Sequence, residues 1–400
     1  MKRILILCLA LLTVISVAGC GISSGTAQDT TQSPVSNSPE DPTSPTGPDT
    51  TPVGPAVYEN LISVSVPITV ETGAAEDGTS VFTYTYQTMH LFVPDPDVAY
   101  KVIIDFLYRT EQIRSDAEAV YSSAISEYGQ SSQFSPYMYQ VIYNPTRADQ
   151  GVLSLFGDIT VLSGGTSSGK YCISASYDLI TGDVLTLGSI LYHMDTKDVL
   201  CQLVIDHLKA DENLVLYDEF EIYVKDRFNQ DESTDEAFYF TSSGLCFYFS
   251  PYEIGPRSSG VITVELPYSE LTGIISDDYF PAERGESTGT VSAVPFDQAD
   301  LSSFDEFAEV IISEGEMIFL TADSDVYDVR IYCGEAVQYT VFAANRLSST
   351  DAILLQADIP YEEEKLLLSY KSNSTTKVFS ILRDKNSGAV VLSEVQSYSE

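Results

Sequence analysis

Two segments early in the folded part of the chain alternate strictly between apolar and polar positions. Apolar residues occupy every second position from Ile62 to Val70 and again from Phe82 to Tyr86, with a Gly- and Asp-containing stretch at 73–78 between the runs. A period of two places successive side chains on opposite faces of a strand. We therefore predict two strands joined as a β-hairpin.

Helical spacing follows this hairpin. Asp95 and Pro96 supply an N-cap and a first-turn proline, and apolar residues then recur at intervals of three or four as far as Gly129. This pattern predicts one long amphipathic helix that packs on the sheet. Two further helices are predicted at 187–210 and 219–228.

Strand patterns return between and after these helices, at 159–162, 171–177, 238–241, 245–249 and 261–266. Strands and helices that do not alternate regularly favour an α+β fold with a mixed or antiparallel sheet and packed helices. After a Pro- and Gly-containing linker at 281–295, a short helix is predicted near 304–312. Seven strand-like runs then start near Met317, Tyr327, Gln338, Ala352, Lys365, Thr376 and Ala389. Their regular spacing predicts a β-sandwich-like C-terminal domain.

The first 20 residues have the form of a bacterial lipoprotein signal peptide. Lys2 and Arg3 precede an apolar run at 4–17, which ends in the lipobox Val17-Ala18-Gly19-Cys20. A helix of that length spans about 21 Å, too short for a hydrocarbon core of about 30 Å. We predict Cys20 as the lipid attachment residue of an extracytoplasmic protein anchored to the cell membrane; ordinary secretory cleavage before Cys20 is the alternative.

Residues 21–57 are mostly Ser, Thr, Pro and Gly, and they contain no Lys or Arg. A segment of this composition cannot bury a hydrophobic core. We therefore predict a disordered tether between the anchor and the folded part of the chain.

The chain is strongly acidic, with 20 basic and 58 acidic residues and a formal net charge of -38. Loss of Lys2 and Arg3 with the signal peptide would take this charge from -38 to -40. Such a field repels nucleic acid and favours a basic protein partner, although the charge could also serve solubility alone.

The sequence contains few candidates for catalytic or metal-binding residues. Cys172, Cys201, Cys246 and Cys333 have no metal-binding spacing, so either disulfides or buried free thiols are compatible with them. The stretch 164–171 imitates a phosphate loop and a nucleophile elbow, but a strand pattern follows it where both motifs need a helix. We interpret it as a hairpin loop. We expect no catalytic residues, no cofactor and no metal site, and hence no enzyme.

Two segments carry a family resemblance. The stretch 177–187 and the longer stretch 238–271, with Phe238-Tyr239-Phe240 and Leu245-Cys246-Phe247-Tyr248-Phe249-Ser250-Pro251-Tyr252, resemble paired DUF4163 and DUF3298 domains. Such pairs occur in RsiV-like anti-sigma factors that sense lysozyme and in peptidoglycan deacetylases. The resemblance implies a DUF4163-like domain at 58–182, a DUF3298-like domain at 183–280 and, after the linker, a separate β-rich domain at 296–400.

The loop after the second strand of that motif is the predicted partner-binding site. It contains Pro251, Tyr252, Glu253, Pro256 and Arg257, and its prolines would stiffen a tyrosine available for contact. The alternative is that its apolar residues only fill the core. The function that we expect is a membrane-anchored extracytoplasmic binding or sensing lipoprotein, whose partner is a basic wall-active protein such as lysozyme. A peptidoglycan- or wall-associated structural or glycan-binding module is the alternative.

Overall fold

The structure, a computed structural model, describes residues 60–130, 133–229, 238–282, 284, 287–334, 338–362, 365–373 and 375–395, without the side chains of 166–168. The predicted signal peptide, Cys20 and the tether at 21–57 therefore lie outside the described residues. Within these ranges no helix is both long enough and apolar enough to cross a bilayer.

The N-terminal part contains a five-stranded sheet covered by one long helix. Its elements are β1 (Ser63–Ser65), β2 (Ile68–Ala74), β3 (Ser80–Gln87), β4 (His90–Phe92), α1 (Pro96–Tyr128), β5 (Tyr137–Ala148), β6 (Val152–Ser163) and β7 (Thr166–Asp178). The sheet order is β2-β3-β5-β6-β7, with β3 and β5 parallel and the other pairs antiparallel. The predicted hairpin is β2–β3, and α1 begins at the Asp95 cap as predicted.

The first apolar run is not one strand. Ile62 to Val70 divides at Pro67, which has no N–H to donate to a ladder. Residues before it form β1, which pairs antiparallel with a strand near the C-terminus at Ser63↔Ala344 and with β4 on its other side. Residues after it enter the five-stranded sheet as β2. Sheet pairing therefore crosses the predicted boundary between the N-terminal and C-terminal domains.

The middle part packs helices on a small antiparallel sheet. Its elements are α2 (Leu187–Ile190), α3 (Lys197–Ala210), α4 (Phe220–Phe228), β8 (Phe238–Phe240), β9 (Gly244–Phe249), β10 (Ile262–Pro267) and α5 (Tyr268–Leu271), in the sheet order β10-β9-β8. Every residue of β9 is buried, and the core behind it includes residues of α3 and α4.

The predicted helix at 187–210 is interrupted between α2 and α3. Thr186 and Ser189 form a capping box that begins α2. The Tyr192 backbone N–H then donates to the Ile274 carbonyl at 2.9 Å, and the Thr196 hydroxyl donates to the same carbonyl at 2.8 Å. These tertiary hydrogen bonds replace helical ones, so the chain turns before α3 begins.

The C-terminal part is formed by two sheets that share one core. Its strands are β11 (Val291–Pro295), β12 (Glu306–Ile311), β13 (Glu316–Ala322), β14 (Val326–Cys333), β15 (Tyr339–Leu347), β16 (Asp351–Ala357), β17 (Leu366–Ser372), β18 (Thr375–Arg383) and β19 (Val390–Glu394). The sheet orders are β11-β13-β16-β12 and β19-β18-β17-β14-β15-β1-β4. All seven predicted strand runs are present, and the fold is α+β with a β-rich C-terminal region.

Two predictions in this region need correction. The helix predicted near 304–312 is absent: β12 occupies 306–311 and pairs in parallel with β16, burying Ala308 and Val310 while Phe307 and Ile311 stay exposed. Apolar residues on both faces imitated helical spacing. The end of the predicted linker at 281–295 forms strand β11, which pairs with β13.

Candidate partner-binding surface

The loop from Ser250 to Gly260, between β9 and β10, is held by hydrogen bonds at its beginning. The Ser250 backbone N–H donates to a Glu253 carboxylate oxygen at 2.8 Å, and the Glu253 N–H donates back to the Ser250 carbonyl at 3.0 Å. The Ser250 hydroxyl oxygen accepts the Cys172 N–H at 3.0 Å, which ties the loop to β7. The loop thus begins as a closed turn with a fixed orientation.

Tyr252 lies at the tip of this turn in an unusual conformation. Its φ is 75°, in the left-handed region that non-glycine residues avoid, and its side chain is 60% exposed. Ile254, two residues later, is fully buried in the core. The two apolar residues of the loop therefore have opposite roles: Ile254 fills the core, and Tyr252 presents its ring to solvent.

Glu253 connects the loop to helix α4. Its carboxylate forms an ion pair with the guanidinium of Arg227, whose side chain is only 15% exposed. That guanidinium also lies over the rings of Tyr248 and Phe249, 5.1 and 5.3 Å from their centres. A planar cation that stacks on aromatic rings and pairs with a carboxylate fixes the loop against the helix.

The second half of the loop packs on the segment 211–219. The Ser259 hydroxyl donates to the Val215 carbonyl at 2.9 Å, and the Tyr217 N–H donates to the Ile254 carbonyl at 2.9 Å. Pro251 and Pro256 are half-buried, whereas Arg257 is exposed. Of the predicted site residues, Tyr252 and Arg257 are therefore open to a partner, and Glu253 and the prolines position them.

Five exposed large apolar side chains lie on these connected segments, Ile222 of α4 among them, and we call the other four the tyrosine surface: Val215, Tyr217, Tyr223 and Tyr252. Tyr223 is placed there by helical geometry, since it precedes Arg227 by four residues. Tyrosines suit contact surfaces because they offer large apolar area at a small loss of side-chain entropy.

The tyrosine surface has an acidic border. Segment 211–219 contains four exposed acidic side chains and no basic residue; they are Asp211, Glu212, Asp218 and Glu219. The nearby Lys209 and Lys225 both pair with Glu221, at 2.7 and 3.8 Å. Glu221 offsets only one of these two lysines, so the four acidic side chains of the border face one remaining lysine charge and the exposed Arg257, and the border stays negative.

The contribution of segment 211–219 and of Arg227 to this surface was not predicted from the sequence. The only local signal was a run of nine residues, 211–219, in which Val215 and Tyr217 stand among acidic residues. Such a run is also typical of an ordinary solvated loop. Its contact with the loop at 250–260 depends on tertiary structure.

The other residues that the sequence offered as candidates for chemistry do not form a site in the described part of the structure. Gly164 and Gly165 both have positive φ and form a two-residue turn between β6 and β7, so no helix follows the glycine-rich stretch. The four described cysteines are free thiols, and burial raises the pKa of Cys172 to about 11 and that of Cys246 to about 12. Among the described residues, no three His, Cys, Asp or Glu side chains cluster as metal ligands.

Part of the chain is similar to known proteins. Residues 189–269 match a family described as "Protein of unknown function (DUF3298)". A solved member of that family from Bacteroides fragilis is 15% identical, over 54% of this chain and 94% of that chain, with a TM-score of 0.41. A DUF3298 family protein from Pseudomonas aeruginosa is 16% identical, over 56% and 99%, with a TM-score of 0.39. No curated protein matches the sequence.

The match covers residues 189–269, which we call the DUF3298 domain of this chain, a domain of unknown function. It lies inside the predicted region 183–280, and the loop at 250–260 falls within the match.

Proposed function

We propose that the protein is a membrane-anchored extracytoplasmic binding lipoprotein, held to the lipid bilayer through acylated Cys20, whose tyrosine surface docks a basic wall-active protein such as lysozyme. The observation that carries this proposal is Tyr252, which is exposed at 60% and held at a φ of 75°. Strain of this kind costs about 1–3 kcal/mol and is concentrated at functional positions. Because most of the Tyr252 side chain is exposed, its burial offsets little of that cost.

Charge supports the choice of partner. Hot spots of protein interfaces are aromatic residues surrounded by a polar border, and complementary charge accelerates encounter. The tyrosine surface combines an aromatic centre with the acidic segment 211–219, in a chain of net charge -38. A basic protein with exposed apolar residues is the partner that matches both features.

Two substitutions of Tyr252 test the proposal. Tyr252→Gly removes the ring and suits the positive φ, while Tyr252→Ala removes the ring and keeps the strain. We expect both variants to bind lysozyme at least about tenfold more weakly, which corresponds to about 1.4 kcal/mol. The glycine variant should be more stable to urea than the alanine variant by about 1 kcal/mol.

The matched control is Tyr361→Ala, because Tyr361 is a tyrosine of similar exposure, 55%, outside the tyrosine surface. Binding is measured by biolayer interferometry with immobilised lysozyme. Raising the salt concentration from about 0.1 M to about 1 M shortens the Debye length from about 10 Å to about 3 Å and should weaken the complex strongly. Lysozyme binding that is absent, or that is the same in the Tyr252 and Tyr361 variants, refutes the proposal.

A further inference from the structure

A second concave site lies where the DUF3298 domain meets the C-terminal sheet. This junction cleft has a volume of about 570 Å³, and its walls are the turn before β9 with Glu265 of β10 on one side and β14, β17 and β18 on the other. Ligand pockets in proteins usually measure about 300–1,000 Å³ and often lie between structural units. The junction cleft thus has the size and the position of a small-molecule site.

On the side of the junction cleft that the DUF3298 domain forms, most of the polar side chains carry hydroxyl groups. The Thr241 and Ser243 hydroxyls both donate to one carboxylate oxygen of Glu265, at 2.6 and 2.5 Å. Ser242, between them, lies 3.5 Å from the Lys371 ammonium of the opposite wall. Side chains that can both donate and accept hydrogen bonds are therefore arranged around an exposed carboxylate.

On the opposite wall, the carboxylate of Asp328 extends from a strained backbone position. Asp328 has a φ of 49°, and the register of β14 against β17 shifts between Tyr327 and Arg330. Bulges of this kind redirect side chains and are frequent next to functional sites. The redirected Asp328 carboxylate lies 2.9 Å from the Lys371 ammonium and 2.6 Å from the Arg284 guanidinium.

The floor of the junction cleft is polar and buried. Tyr239 and Tyr332 are each 8% exposed, Ser369 is 2% exposed, and the hydroxyls of Tyr332 and Ser369 are 3.1 Å apart. Arg330 donates to the Pro145 and Thr146 carbonyls at 2.9 and 2.8 Å, which closes the cleft against the N-terminal part.

Charge identifies the ligand class. Among the lining residues, Glu265 and Asp328 are balanced by Arg330 and Lys371, and Arg284 adds a further cation beside Asp328, so the junction cleft carries no net negative charge in a chain of net charge -38. A cleft without net negative charge, in which several hydroxyls lie beside the rings of Tyr239 and Tyr332, matches a neutral molecule that itself carries many hydroxyls. We propose that the junction cleft binds a neutral oligosaccharide.

The test is titration calorimetry of the full chain with three neutral tetrasaccharides: N-acetylchitotetraose, cellotetraose and maltotetraose. We expect at least one of them to bind with a dissociation constant of about 1 mM or lower. Because the ligand is neutral, the affinity should change less than about twofold between about 0.1 M and about 1 M salt. This result separates the junction cleft from the salt-sensitive tyrosine surface.

Three variants locate the site. Thr376→Tyr narrows the junction cleft from an exposed position, and Ser242→Ala removes one hydroxyl with little effect on folding. Each should weaken saccharide binding, by roughly tenfold or more for Thr376→Tyr and by a few-fold for Ser242→Ala. The control is Ser122→Tyr on the exposed face of α1, which should change nothing. The proposal is overturned if no tetrasaccharide binds at about 5 mM, or if binding survives both cleft substitutions.

Discussion

Replacing Arg147 with methionine would break the most buried ion pair that the structure describes. Arg147 is 4% exposed; its guanidinium pairs with Asp149, and it donates to the Tyr268 hydroxyl at 2.7 Å and to the Tyr279 carbonyl at 2.6 Å. These contacts join strand β5 to residues that follow the sheet of the DUF3298 domain. The substitution therefore removes a link between two parts of the molecule while preserving much of the side-chain volume.

The loss in the free energy of unfolding depends on the contacts that Asp149 and the two tyrosine oxygens keep after the substitution. Removing one partner of a buried pair usually costs about 3–5 kcal/mol, because the other charge is left buried. Asp149 would keep hydrogen bonds from the Gly151 and Val152 N–H groups, both at 3.0 Å, which lowers the cost. The Tyr268 and Tyr279 oxygens would each lose a donor, at about 1 kcal/mol each. We expect a net loss of about 4 kcal/mol, a large part of the usual 5–15 kcal/mol.

Urea unfolding followed by circular dichroism measures this loss as a lower midpoint with an unchanged slope. Adding Asp149→Asn to Arg147→Met removes the orphaned charge and should restore about 1–2 kcal/mol. The control is Lys101→Met, since Lys101 and Asp183 form an exposed pair 3.9 Å apart whose loss should cost at most about 1 kcal/mol. An Arg147→Met loss below about 1 kcal/mol, or no recovery in the double variant, would refute the reasoning.

Three further predictions concern packing, thiol reactivity and acid stability. Gly157→Ala should prevent folding or cost more than about 3 kcal/mol, because the new methyl carbon would lie 1.8 Å from the Ile142 carbonyl oxygen of the paired strand; a normal yield with wild-type unfolding would contradict this. Burial raises the pKa of Cys246 to about 12, so iodoacetamide at pH 8 should label it only in the unfolded protein, as peptide mass mapping would show. Labelling at equal rates in both states would contradict it. The hydrogen bond from Arg114 lowers the pKa of Glu71 below its ordinary 4.5, so this contribution to stability is present above that value and is lost as the pH falls through the folded pKa. The stability difference between wild type and Glu71→Gln should therefore shrink from pH 7 to pH 3, and a constant difference in urea midpoints would exclude this role.

The elements that the sequence predicted well are those whose signals are local. Helix α1 has its cap, its first-turn proline and its apolar spacing within one segment, and the seven C-terminal strands each carry their own apolar run. What the sequence did not reveal is which strands pair. Alternation shows that one face of 62–66 is buried, but it does not identify the sheet, and β1 lies between β4 and β15.

Long-range hydrogen bonds explain that placement. The Asn345 side chain accepts the Ile62 N–H at 2.9 Å and donates to the Asn60 carbonyl at 3.0 Å, while it is 2% exposed itself. These contacts connect residues more than 280 positions apart. No pattern within a window of ten or twenty residues contains such information.

The candidate site was only partly predictable, because it also depends on contacts between segments that are distant in the sequence. The proline-flanked loop could be recognised, yet Tyr252 and Ile254 look equivalent in the sequence and only the structure separates the exposed ring from the buried one. The junction cleft was not predictable, because its walls come from segments far apart in the sequence, such as Ser242 and Lys371, which are 129 residues apart.

The two proposed sites lie at opposite ends of one strand. The turn 241–243 precedes β9 and lines the junction cleft, whereas the loop at 250–260 follows β9 and carries Tyr252. Six residues of strand span about 20 Å, so a small saccharide and a docked protein need not collide. Because all of β9 is buried, a substitution at one end should not displace the other. Thr376→Tyr should therefore leave lysozyme binding unchanged, and Tyr252→Gly should leave saccharide binding unchanged. If both affinities fell together in either variant, the two surfaces would have to be parts of a single site.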